Sequence, residues 1–153
     1  MLYEYMSSLS NLFSKLEAHF NTTDDIIPVI KILRETELSD YVQSAVDMIQ
    51  RYPEDVKDTC DYIREQIFSN HRFEIYLISW KTSSFVDFHT HSENGYVFKV
   101  LKGEIVEHIE TNGHVLKHAY REGDTGYIYK NTGTRYVYIS DGTVSLQVYS
   151  ITY

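Results

Sequence analysis

Cysteine is almost missing from this chain: Cys60 is the only one in 153 residues. A single thiol excludes an internal disulfide framework, and a reducing, intracellular setting is the natural expectation. Proline is nearly as scarce, at Pro28 and Pro53, which leaves few enforced breaks. No apolar run approaches the roughly 18 residues that cross a bilayer. The start, MLYEYMSSLSNLF, lacks the basic opening and apolar stretch of a secretory signal. Positive charge is in deficit as well: Lys and Arg number 14 against 22 Asp and Glu, a net charge of -8. The basic residues are scattered, whereas a nucleic-acid binder needs them in excess and gathered on one face. The expectation is one domain with no nucleic-acid or membrane partner, as a monomer or small homo-oligomer.

Tyrosine, by contrast, is abundant, with 14 residues mostly in the second half. It suits half-buried strand faces with a polar rim. Hydrophobic periodicity divides the chain near residue 60. Before that point the spacing is helical: Leu9, Leu12, Phe13, Leu16 and Phe20 form one stripe. A second helix is expected from Thr23 or Asp24, with Pro28 in its first turn and Ile26, Ile27, Ile30 and Leu33 facing inward. A third is expected from about Ser39, burying Leu38, Val42, Ala45, Val46 and Ile49, and ending at Pro53.

After residue 60 the period is two. Strands are expected at 72–79, 96–101, 104–109, 127–130, 136–139 and 144–151. Asn94-Gly95, Lys102-Gly103, Asn112-Gly113, Gly123, Thr132-Gly133 and Asp141-Gly142 supply the turns between them. Many short strands with tight turns predict a mainly β fold, an antiparallel barrel. A helical cap over about 1–58 would dock on a barrel over about 59–153, the whole forming one domain. Along VSLQVYS, alternation puts Val144, Leu146 and Val148 on one face and Ser145, Gln147 and Tyr149 on the other.

Within this half, FHTHSENGYVFKVLKGEI places His89 and His91 on the same side of a strand. Two neutral imidazoles so placed are half of a metal site. The histidine pair, Gly103 in KVLKGEI, Trp80 in LISW nine residues before His89, Arg64 in DYIREQI and Tyr149 in VSLQVYS occur in an order that resembles a cupin, and within the cupins cysteine dioxygenase. The resemblance covers nearly the whole chain.

It implies a jelly-roll-like barrel with Fe(II) on His89 and His91 and oxidation of a thiol such as cysteine to a sulfinic acid with O₂. It also implies that Arg64, with Tyr62, binds substrate and that Tyr149, Gln147 and Ser145 stand in the catalytic row; Arg135 is a further substrate-binding candidate, on its charge alone. Arg64 would grip the substrate carboxylate, and Tyr149 would donate to bound oxygen or to that carboxylate.

The sequence departs from the family where the chemistry lies. The third metal histidine should fall in GDTGYIYKNTGTRYVYI, where Arg135 aligns with it, or Thr134 or Tyr136 with a residue of slippage. A protonated guanidinium offers donors only and is no metal ligand. Glu93 is a local candidate for a carboxylate in its place, with Glu104 and Asp124 further off. His118 reaching inward, or Tyr149 as phenolate, is a further route to a third ligand. Gln147 stands where the family has a histidine, and an amide cannot shuttle a proton near neutral pH. Cys60 lies outside the motif, so the family's cysteine–tyrosine crosslink cannot form.

An alternative function follows from Arg135: a non-catalytic cupin binding a small anionic ligand, with this guanidinium facing the cavity near His89 and His91. An interaction module built on the helical cap is a third possibility, with no specific feature in its favour.

Overall fold

The computed structural model describes residues 2–38, 47, 62–80, 84–87, 95–128 and 135–151, with the backbone alone at 2–8, 84–87, 111, 128, 135 and 136. The described residues form two helices, α1 (Leu2–Phe20) and α2 (Val29–Glu35), followed by nine strands. These are β1 (Tyr62–Ser69), β2 (Phe73–Trp80), β3 (Ser84–Asp87), β4 (Tyr96–Lys102), β5 (Glu104–Thr111), β6 (His114–Arg121), β7 (Thr125–Ile128), β8 (Arg135–Ile139) and β9 (Val144–Ser150). The fold is mainly β, with every strand pair antiparallel. One sheet runs β1-β2-β9-β4-β7 and the other β3-β8-β5-β6. Two sheets with such crossovers give the jelly-roll-like arrangement that the period-two half predicts.

Two apolar layers result. Leu12, Leu16 and Phe20 of α1 and Val29 and Leu33 of α2 are buried against Phe73, Ile75, Leu77, Val97, Leu146 and Val148. The helices therefore cover the outer face of the first sheet. Stacked rings stitch this layer: Phe13 on Phe68 at 4.7 Å, Phe68 on Phe73 at 5.1 Å, and Phe20 on Phe73 at 5.0 Å. Such pairs contribute about 0.5–1.5 kcal/mol each beyond area burial. The second layer lies between the sheets and takes Ile78, Trp80, Tyr96, Phe98 and Val100 from one side and Ile105, Val137 and Ile139 from the other.

Polar ties hold the helices in place. Lys99 is buried on the helix side of β4, where its Nζ donates to the carbonyls of Leu33 at 3.0 Å and Thr36 at 2.7 Å. Both lie at the C-terminal end of α2, where the Leu33 carbonyl also accepts from the Thr36 amide at 3.3 Å. Burial pushes the Lys99 ammonium below its ordinary pKa, and the charge of Glu37 opposes that shift. Arg72 Nη1 donates to the Phe20 carbonyl at 2.7 Å and so caps α1 from the β1–β2 turn.

The second helix begins later than its sequence suggests. Thr23 Oγ1 accepts from the Asp25 amide and Asp25 Oδ1 from the Ile27 amide, so these side chains serve a local turn. The helix starts after Pro28, not before it. Val29 is consequently buried while Ile27 is 40% exposed. The helix expected from Ser39 to Pro53 lies outside the described residues, apart from Leu38, which is buried, and Asp47. Strands β1, β3 and β6 are additional to those expected, and β7 begins at Thr125, two residues before the expected start.

Candidate functional site

The inner face of the first sheet carries the site. The register aligns Arg64 of β1, Ile78 of β2, Ser145 of β9 and Val100 of β4 as one row. The next row is Gln66, Tyr76, Gln147 and Phe98, and the next is Glu74, Tyr149 and Tyr96. Tyr62 pairs with Trp80 on the other side of Arg64. Alternation along β9 sends Val144, Leu146 and Val148 into the helix layer and Ser145, Gln147 and Tyr149 inward.

Arg64, Tyr76 and Tyr149 form a corner at the open edge of this sheet. The guanidinium carbon of Arg64 lies 3.6 Å from the centroid of the Tyr76 ring and 5.5 Å from that of Tyr149. No carboxylate pairs with Arg64 among the described residues. The two tyrosine rings meet edge to face at 5.6 Å, and Tyr96 packs on Tyr149 at 4.9 Å. Burial pushes the Tyr149 phenol up to about 12, against the lowering effect of the Arg64 charge. Tyr149 is therefore a neutral phenol at physiological pH.

The Tyr149 hydroxyl donates to Gln147 Oε1 at 2.6 Å. That bond directs the phenol proton along the strand rather than toward a ligand. Ser145, at the far end of the same row of β9, is fully buried, and its Oγ has no hydrogen-bond partner among the described residues. The Ser-Gln-Tyr row is thus linked at one end only. Trp80 Nε1 is likewise buried and unpartnered, and its ring is packed against Tyr62 at 4.7 Å. Tyr62 itself is 44% exposed.

The metal question falls elsewhere. His89, His91, Glu93 and Thr134 lie outside the described residues. Arg135 opens β8 with its backbone opposite Ile109, and its side chain is outside the described part. Three of the substitute ligands are otherwise engaged or at the surface. Glu104 receives Arg121 Nε at 3.2 Å in an exposed ion pair, and Asp124 Oδ2 accepts the Arg121 amide at 2.8 Å. His118 is exposed on β6, with its ring 4.4 Å from that of Tyr120. Glu104 and Asp124 are thus already bonded near the surface, whereas His118 stands opposite Glu107 in the β5–β6 register with its ring exposed. Tyr149, neutral and bonded to Gln147, is ill suited to ligate as phenolate.

Glu107 is the acid that sequence reasoning missed. It is 3% exposed on β5, in phase with the core residue Ile105, and its Oε2 accepts from the Tyr120 hydroxyl at 2.9 Å. The signal was present as a carboxylate at an apolar phase of the Ile105-x-Glu107-x-Ile109 alternation. Among the described residues no three His, Cys, Asp or Glu side chains gather into a metal-holding group. Glu107 is the buried carboxylate of the barrel interior among the described residues, while His89 and His91 lie outside them.

No protein-family model and no curated protein matches this chain. Among solved structures, a cupin-superfamily protein from Desulfitobacterium hafniense is similar at 16% identity over 60% of this chain and 78% of that one, with a TM-score of 0.46. A Rhizobium leguminosarum protein of unknown function is similar at 15% identity over 69% of this chain and 89% of that one, with a TM-score of 0.49. An RmlC-like cupin from Shewanella frigidimarina is similar at 13% identity over 60% of this chain and 78% of that one, with a TM-score of 0.45. The solved structures that this chain resembles thus include cupin-superfamily proteins.

Proposed function

We propose that this protein is a cysteine-dioxygenase-like cupin that binds a small thiol carboxylate through Arg64 and oxidises the thiol to a sulfinic acid. The observation that carries this reading is the state of Arg64. Its guanidinium lies on the inner face of the sheet, against Tyr76 and near Tyr149, with no carboxylate ion pair among the described residues. A guanidinium stacked in this way, with no counter-ion among the described residues, suits a planar carboxylate, which it engages by two parallel hydrogen bonds.

The sum reaction balances without further reagents: sulfur gives up four electrons, and both atoms of O₂ enter the sulfinic acid. Iron held by His89, His91 and an acid such as Glu107 would supply the activation of O₂ and of the thiolate. The residues of the chain position and enclose. Arg64 holds the carboxylate, while the Tyr62–Trp80 pair walls one side of the corner. Tyr149 stays protonated and orients against Gln147, which has no titratable proton to relay.

A second reading, binding of a small anion without turnover, is favoured by the same Tyr149–Gln147 bond, since it takes up the phenol proton that catalysis would use. Metal analysis of the purified protein and of His91→Ala, with O₂ uptake on L-cysteine, separates the two. Stoichiometric iron lost in His91→Ala, with cysteine-dependent O₂ consumption, supports the dioxygenase. Absence of iron from both proteins, with L-cysteine binding intact, supports the anion binder and removes the dioxygenase.

A further inference from the structure

We infer that Tyr76 is the positioning residue for Arg64 and that its ring sets the preference of this site for ligands bearing a carboxylate. The inference rests on the reading of Arg64 as the carboxylate receptor. At 3.6 Å from the ring centroid, the guanidinium is in face contact with Tyr76. A cation so placed is held by the ring quadrupole. One face of the guanidinium is thereby covered. Its edge, where the N–H groups point, reaches the Tyr149 phenol on one side and leaves further donors for an in-plane partner.

The platform is itself fixed. The Tyr76 hydroxyl donates to Glu74 Oε2 at 2.9 Å and accepts from Gln66 Nε2 at 2.9 Å. Strand geometry makes this possible: Gln66 lies directly opposite Tyr76, and Glu74 is one pleat repeat away on the same face. The ring edge is braced by Tyr149 at 5.6 Å. Arg64 stands exposed on an edge strand, where an arginine has wide rotamer freedom. The Tyr76 ring removes part of that freedom before a ligand arrives, and preorganisation of this kind appears as affinity. Neither Glu74 nor Gln66 need touch the ligand for this to hold.

The test compares L-cysteine with cysteamine, which keeps the thiol and amine but lacks the carboxylate. Both are titrated calorimetrically into the full chain, supplemented with Fe(II) and kept free of O₂. Tyr76→Leu is expected to weaken L-cysteine by roughly 3- to 10-fold while leaving cysteamine unchanged. Tyr76→Phe keeps the ring and is expected to stay within about twofold of the parent for both. Arg64→Ala should erase the preference for L-cysteine over cysteamine. A preference that survives Arg64→Ala overturns the carboxylate-receptor reading, and the inference falls with it. If Arg64→Ala erases it but Tyr76→Leu does not, only the role of Tyr76 is overturned. Equal losses for both ligands in Tyr76→Leu, or a Tyr76→Phe effect as large as that of Tyr76→Leu, also overturn it, because the first marks a general structural role and the second puts the hydroxyl ahead of the ring.

Discussion

The Tyr149 hydroxyl and Gln147 Oε1 are joined by a 2.6 Å hydrogen bond between side chains two residues apart on one strand. Both stand inside the barrel, where an unmade polar bond costs more than it would at the surface. Gln147→Leu is expected to destabilise the fold by roughly 1–3 kcal/mol, because the part-buried phenol loses its acceptor. Urea unfolding measures this directly, and a loss below about 0.5 kcal/mol would show that the phenol finds another partner.

Tyr149 also makes a prediction about alkaline pH. Its folded pKa of about 12 lies above the ordinary tyrosine value of 10.0, chiefly through burial. The folded chain therefore holds this proton more tightly than the unfolded one. The stability linked to it is complete below the unfolded value of 10.0 and is lost as pH rises toward about 12. Difference absorbance between the parent and Tyr149→Phe should reveal one phenol ionising near the upper end of that window. An inflection at the ordinary tyrosine value would contradict the burial.

Lys99 ties α2 to the sheet through the Leu33 and Thr36 carbonyls. Lys99→Met keeps most of the stem volume but removes the donor the two carbonyls share, leaving Leu33 O with the Thr36 amide alone. A loss of roughly 1–3 kcal/mol is expected. It should appear as helical ellipticity lost at lower denaturant than the β signal, since the bond lies in the helix layer. A single coincident transition with unchanged midpoint would refute the tie.

Gly126 on β7 has no room for a side chain. A Cβ there would sit 2.6 Å from the Tyr120 ring and 2.7 Å from that of Phe98. These two rings meet at 5.0 Å across the barrel, and Tyr120 continues to Glu107. Gly126→Ala is expected to cost about 1–3 kcal/mol by overpacking. Restoring stability with Phe98→Leu in the same chain would confirm that the clash is with the rings.

Much of this architecture is legible in the sequence because alternation is a local property. The inward side of VSLQVYS, the strands β2, β4 and β5 and the Gly-centred turns all follow from spacing alone. The strand β6, HVLKHAYR, escapes because it is exposed on nearly all its length and carries no hydrophobic alternation. Its existence is dictated by the Asn112-Gly113 hairpin, where φ is 51° and 80°, and by pairing with β5. The start of α2 is not legible because Thr23, a capping residue by type, and Asp25 instead serve a local turn ahead of Pro28. At the site, the order of Arg64, Trp80 and Tyr149 along the chain is readable, but the stack of Arg64 on Tyr76 is not. It depends on the diagonal between β1 and β2, and so on a register that no single strand encodes.

Strand β9 is a partition with different tenants on its two sides. Val144, Leu146 and Val148 hold the helices, and Ser145, Gln147 and Tyr149 look into the barrel. Along seven residues, side chains that pack the helices and side chains that line the barrel alternate position by position. Neither set can slide along the strand without exchanging places with the other, since a shift of one residue would turn valines toward the barrel interior and a phenol toward the helices. The helical layer thus serves as a vernier for the site: by accepting only the aliphatic side of β9, it fixes which residues the barrel can present.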